Sequence, residues 1–120
     1  MKITSVNIWT VVVPTIPGRV HSPEWVPETG WDQVPKHIVR LNTDSELSGI
    51  GETRRGEAIE EVRAGAALLL GKDPEALTLQ DILVARSDGS EEFVEVGQGP
   101  AYKTYEMAVC DLVGKACGVP

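Results

Sequence analysis

Few side chains in this 120-residue chain have the type and setting for chemistry. Arg54 and Arg55 stand side by side in Thr53–Gly56 (TRRG), just after the alternating run Gly49-Ile50-Gly51. A guanidinium binds a carboxylate through parallel N–H donors, so a loop carrying two of them could hold an acid. The plain alternative is two solvated arginines. A second candidate stretch, 15–34, carries Trp25 and Trp31 together with Arg19, His21 and Asp32. Pro17, Pro23 and Pro27, with Gly18 and Gly30, leave no room for a regular element there. A loop of about 20 residues inside a compact domain is usually functional or disordered. Two tryptophans favour a loop packed over something, either the domain's own sheet or a ligand site.

Other chemistries find no support. Cys110 and Cys117 fall seven apart on one expected helix, about 10 Å between Cα atoms, too far for a disulfide. The histidines are His21 and His37, so a four-ligand zinc site is not assembled, and both cysteines are expected to be small packing residues. No phosphate loop, no dinucleotide-binding glycine pattern ahead of a helix, no C-x-x-C and no nucleophile elbow occurs. Glu57, Glu60 and Glu61 open a helix, where the macrodipole favours negative charge, and do not read as a catalytic pair. A net charge of −7 argues against nucleic acid or an anionic membrane as partner. The apolar run at the start is interrupted by Thr4, Ser5, Asn7 and Thr10, which is unlike a signal peptide or membrane span, and the cytoplasm is the default location.

The elements that must position these residues are short. Strands are expected over Lys2–Val13, Lys36–Thr43 and Ser48–Thr53, the last two forming a hairpin through Asp44-Ser45-Glu46. In the first strand Ile3 and Trp9 fall on one face and Val6 and Ile8 off it, an imperfect alternation that fits a bulge or burial on both faces. In the second, Val39 and Leu41 face the core. Gly49 and Gly51 suggest close approach of another part of the chain. A helix over Glu57–Leu70 buries Ile59, Val62, Ala66 and Leu69 and stops at Gly71. Asp73-Pro74 starts another, running to about Val84. Residues 86–100 read as a loop.

The last helix, Lys103 to Cys117, has one apolar face made by Tyr105, Ala108, Val109, Leu112, Val113 and Ala116. A second strip of Met107, Cys110, Gly114 and Cys117 lies nearly opposite, so this helix should be covered on two sides, with one side lacking a partner within these residues. Gly118 and Pro120 stop it. The fold class is therefore α+β, a three-stranded antiparallel sheet followed by a helical part, in one domain. A complete (β/α) barrel takes roughly 250 residues and does not fit.

Ala108–Pro120 (AVCDLVGKACGVP) resembles the A-x-x-D-L-x-G-K-A-x-G-x-P segment of the mandelate racemase/muconate lactonizing group of the enolase superfamily. Thr43–Glu52 resembles that group's T-D-x-x-L-x-G-x-G-E hairpin, with Glu46 where the family usually has a turn glycine. Leu69–Pro74 (LLGKDP) is a third likeness in the right order, and 86–100 matches least. The resemblance implies that residues 1–120 are the N-terminal capping domain and that 103–120 are the junction helix leading into a (β/α) barrel absent from this chain. It implies an enzyme that uses Mg²⁺ to abstract the α-proton of a carboxylate substrate, as a racemase, cycloisomerase or acid-sugar dehydratase. The metal ligands and acid/base residues would lie in the barrel, so catalytic and metal-binding residues here are expected to be none, and the chain alone inactive.

The same resemblance makes the two cap loops line the substrate pocket. The candidates are Arg19, His21, Trp25, Trp31, Thr53, Arg54 and Arg55, and the basic and polar ones among them, Arg19, His21, Arg54 and Arg55, lean towards a polar, hydroxylated acid. The expected partners are the barrel, the small carboxylate substrate and further copies in a homo-oligomer. The competing expectation is a stand-alone or split-enzyme interaction module without catalysis of its own.

Overall fold

The computed structural model describes residues 1–17, 33–77 and 101–119. The described strands form one antiparallel sheet in the order β1 (Ile3–Pro14), β2 (Gln33–Thr43), β3 (Ser48–Glu52). Helices α1 (Ile59–Leu69) and α2 (Tyr102–Ala116) follow, and no closed barrel is present among the described residues. The α+β expectation holds, with boundaries shifted by up to three residues. The helix expected from Asp73 is described only to Leu77. Over these residues the chain forms a turn, in which the Glu75 amide donates to Asp73 Oδ1 at 3.0 Å. The loop 86–100 lies outside the described residues.

The irregular alternation of β1 is a bulge. Ile3 pairs with Thr43 and Ser5 with Asn42, so Thr4 is the extra residue. That insertion puts Ile3, Val6 and Ile8 on the same side of the sheet and turns Trp9 to the other, where it is 47% exposed. The expectation that Ile3 and Trp9 share a face is thus corrected by one residue of slip. The β2–β3 hairpin keeps its tight turn although Glu46 occupies the left-handed position at φ 65°.

Val39 and Leu41 of β2, Val62 and Leu69 of α1, and Tyr105 and Leu112 of α2 are fully shielded and make one core between sheet and helices. Each such aliphatic side chain contributes about 1.5–3 kcal/mol by leaving water. Tyr105 donates its hydroxyl to the Val62 carbonyl, so the polar tip it carries into the core is satisfied. Burial raises that phenol's pKa far above the ordinary tyrosine value. At the C-terminal end of α2 the amide of Val119 bonds to Gly114 O (2.9 Å) and that of Gly118 to Lys115 O (3.2 Å), with Gly118 at φ 69°. This is the glycine-dependent helix stop that the sequence suggests. Met107, Cys110 and Cys117 lie exposed on the side of α2 away from the sheet. The cysteines are therefore not packing residues within this fold, because they sit on the strip that the sheet does not cover.

Candidate functional site

The antiparallel register decides which chain segments leave the sheet from the same end. Pro14 pairs with Gln33 at one end of the sheet, and Glu52 pairs with Ile38 towards that same end. Both stems of the 18–32 stretch and the Thr53–Gly56 turn therefore leave from one end, while the Asp44–Glu46 hairpin turn lies at the other. Arg19, His21, Trp25 and Trp31 themselves lie outside the described residues. Thr53, Arg54 and Arg55 are described, and the structure treats them differently.

Thr53 is buried, at 1% exposure. Its amide donates to His37 O at 2.9 Å and its Oγ1 accepts the His37 amide at 2.8 Å, which extends the β2–β3 ladder by one residue. Arg54 is exposed, with its Nε donating to Glu57 Oε2 at 2.7 Å. Arg55 is exposed and Gly56 turns the chain at φ 77°. Glu57 precedes α1, which begins at Ile59, so it serves the turn and is not part of the helix. Its carboxylate takes Arg54 and its carbonyl accepts from His37 Nε2 at 3.1 Å. A carbonyl can only accept, so the neutral ring carries its proton on Nε2, and Nδ1 accepts the Thr10 hydroxyl at 2.9 Å. His37, Glu57 and Thr10 were not legible as site residues. The available signal was the hairpin register, which sets Thr53 opposite His37.

Charged residues in the family-like segments serve a different purpose. A Cβ on Gly49 would stand 2.0 Å from the Ala108 carbonyl oxygen, and one on Gly51 2.1 Å from that of Thr104. The backbone of α2 thus lies directly on β3, which accounts for the alternating glycines. Side chains of the helix then complete the strand's outer edge. Asp111 Oδ2 accepts the Ile50 amide (2.9 Å), Lys115 Nζ donates to Ser48 O (2.9 Å) and Thr104 Oγ1 to Glu52 O (3.2 Å). Asp111 and Lys115 also pair with each other at 2.6 Å. The Lys115 hydrogen bond, reinforced by the Ile50 amide and opposed by burial, holds the Asp111 carboxyl below its usual pKa. The D-L-x-G-K run is a strand-edge cap and not an acid/base pair.

The donor set for a divalent metal is poor here. Among the described residues no three His, Cys, Asp or Glu gather as ligands. Asp111 is held by Lys115, Glu52 by Lys36 at 2.8 Å, Glu57 by Arg54, and Asp44 accepts the Lys2 amide at 2.8 Å. These residues do not fit a Mg²⁺ site. No helix among the described residues is long and apolar enough to cross a membrane.

No protein-family model and no curated protein matches the sequence. Solved structures do match. A protein assigned to the mandelate racemase/muconate lactonizing enzymes, from Roseovarius nubinhibens ISM, is 21% identical over 98% of this chain and 32% of its own, with a TM-score of 0.69. An enolase from Thermobispora bispora DSM 43833, in complex with magnesium and formate, is 26% identical over 100% of this chain and 30% of its own, with a TM-score of 0.68. A dipeptide epimerase from Enterococcus faecalis V583, in complex with Mg and the dipeptide L-Leu-L-Tyr, is 19% identical over 98% of this chain and 32% of its own, with a TM-score of 0.70. The chain spans about a third of the length of these structures. Sheet order, helix placement and these matches agree: the chain has the N-terminal domain fold of the mandelate racemase/muconate lactonizing group of the enolase superfamily.

Proposed function

We propose that this chain is the substrate-capping and specificity domain of a Mg²⁺-dependent enolase-superfamily enzyme acting on a carboxylate. The reaction is α-proton abstraction, in a racemase, cycloisomerase or acid-sugar dehydratase. The observation that carries the reading is the common exit of the 18–32 stems and the Thr53–Gly56 turn at one end of the sheet. Two loops that leave together can close over one site. The magnesium-bound likeness to the Thermobispora bispora enolase supports the metal for the whole enzyme. When bound, the metal would stabilise the enediolate that proton loss creates. Its ligands and the base belong to a barrel outside these residues.

What this domain contributes is recognition. The Arg54 guanidinium, fixed through Nε by Glu57, offers its other N–H donors to a substrate oxygen. Arg55 sits beside it on the exposed turn. Arg19, His21, Trp25 and Trp31 complete the lid in this reading, shielding the reacting centre from water, and Thr53 anchors the turn from below. The enzyme is cytoplasmic and a homo-oligomer in the same proposal.

The test is a substrate panel on the complete protein with Arg54→Ala and Arg55→Ala. The expected result is a change of tenfold or more in relative kcat/KM among carboxylate substrates, with the Mg²⁺ concentration dependence unmoved. Unchanged ratios across a panel of acids that the protein turns over would overturn the capping role.

A further inference from the structure

We infer that His37 is the positioning residue of the Thr53–Glu57 turn, holding both of its ends and, through Glu57, setting where Arg54 points. The inference rests on the capping reading for its consequence, but the geometry stands by itself. At the start of the turn, the His37 backbone exchanges two hydrogen bonds with Thr53, one to its amide and one to its hydroxyl. At the end of the turn, the His37 ring bonds the Glu57 carbonyl. Between these points lie Arg54, Arg55 and Gly56, all exposed, and a Cβ on Gly56 would meet open space among the described residues. The bonds at its two ends therefore bear directly on the shape of the turn.

The ring is itself fixed. Thr10 on β1 holds Nδ1 while Glu57 O holds Nε2, so the imidazole cannot rotate without breaking a bond on each side. The chain of contacts runs from the first strand to the turn: Thr10 to His37, His37 to Glu57, Glu57 to Arg54. The first link joins β1 to β2, the second joins β2 to the turn, and the third lies within the turn. Glu57 can hold Arg54 in one place only because its own backbone is held by His37. A histidine suits the position since a single planar ring presents an acceptor and a donor in opposite directions. Glutamine can reproduce the Nε2 donor, and alanine neither.

The experiment is NMR on the chain. In the parent protein the His37 nitrogen shifts should report the Nε2–H tautomer with Nδ1 accepting. The Arg54 Nε–H should be resolved and slow to exchange. His37→Ala should speed exchange of that Nε–H at least tenfold. Backbone order parameters at Arg55 and Gly56 should drop from near the rigid value of about 0.85 towards 0.6. Amide protection at Val109 and Leu112 should stay as in the parent. His37→Gln should restore the Arg54 signal. Unchanged Arg54 exchange and turn order in a folded His37→Ala chain would overturn the inference. So would a parent His37 found in the Nδ1–H tautomer, a readout that stands even where the alanine variant does not fold. Failure of the capping reading would appear in the substrate panel instead, with these spectra unaffected.

Discussion

The joint between α2 and β3 and the turn after β3 are a few residues apart and are held by opposite means. In the joint, helix carbonyls lie where side chains would be, over Gly49 and Gly51, and the charges of Asp111 and Lys115 bond the strand's backbone. In the turn, a Cβ on Gly56 would meet open space among the described residues, and a short relay of polar side chains fixes the ends. The joint excludes alternatives by volume, whereas the turn selects its shape through directional bonds. The recognisable, family-like charges are thus the structural ones, and the arginines with no strong motif around them face solvent.

The sharpest way to break that contrast is to place a methyl group in each region. Gly51→Ala brings Cβ to 2.1 Å from the Thr104 carbonyl, a clash with backbone that cannot swing aside. The expected loss is about 3 kcal/mol, read as a lower urea midpoint. Gly56→Ala meets open space and strains only its positive φ, which costs about 1 kcal/mol. Equal losses would mean that the joint yields as easily as the turn.

Asp111→Ala sharpens the same contrast by removing the edge cap and leaving the helix backbone alone. The Ile50 amide loses its acceptor and Lys115 its partner, for an expected cost of about 1–2 kcal/mol. The pH dependence follows from the lowered carboxyl. A group more acidic folded than unfolded adds stability that is fully present above the unfolded value of about 3.9 and is lost as pH falls through the folded value. The parent should therefore lose urea resistance below about pH 4 by a margin that Asp111→Asn, which keeps an acceptor and cannot titrate, does not show. Identical acid limbs for parent and Asn variant would assign the acid sensitivity to other carboxylates.

The frame was legible because it depends on periodicity and turn chemistry. Val39 and Leu41, the Val62–Leu69 stripe and the glycine stop at Gly118 all follow from spacing. Gly49 and Gly51 announced a close approach, but not that the approaching group is the backbone of α2. The bulge at Thr4 left a trace in the broken alternation without fixing the register. The site was less legible because its geometry is non-local. His37 reaches Glu57 across 20 positions and Thr10 across 27, and no local pattern encodes either bond. Cys110 and Cys117 looked like packing residues since buried free cysteine is common, yet the side of α2 they occupy is settled by which strip the sheet covers.

The smallest predicted effect concerns the hairpin turn at the far end of the sheet, where Glu46 sits at φ 65°. A side chain in the left-handed region costs roughly 1–2 kcal/mol because Cβ crowds the following carbonyl. Glycine would remove that strain, but its greater freedom in the unfolded chain returns about 0.4–1 kcal/mol of the gain. The difference favours Glu46→Gly by about 0.5–1 kcal/mol, a rise in urea midpoint at unchanged m-value. Glu46→Ala keeps a Cβ and should be neutral, which separates relief of backbone strain from loss of the carboxylate. Because the Thr53–Glu57 turn lies at the opposite end of the sheet, its Arg54 signal should not respond to either change. A stabilised hairpin with a silent turn would establish that the two ends are built independently, and a shifted Arg54 signal would mean that the β2–β3 register transmits strain along its length.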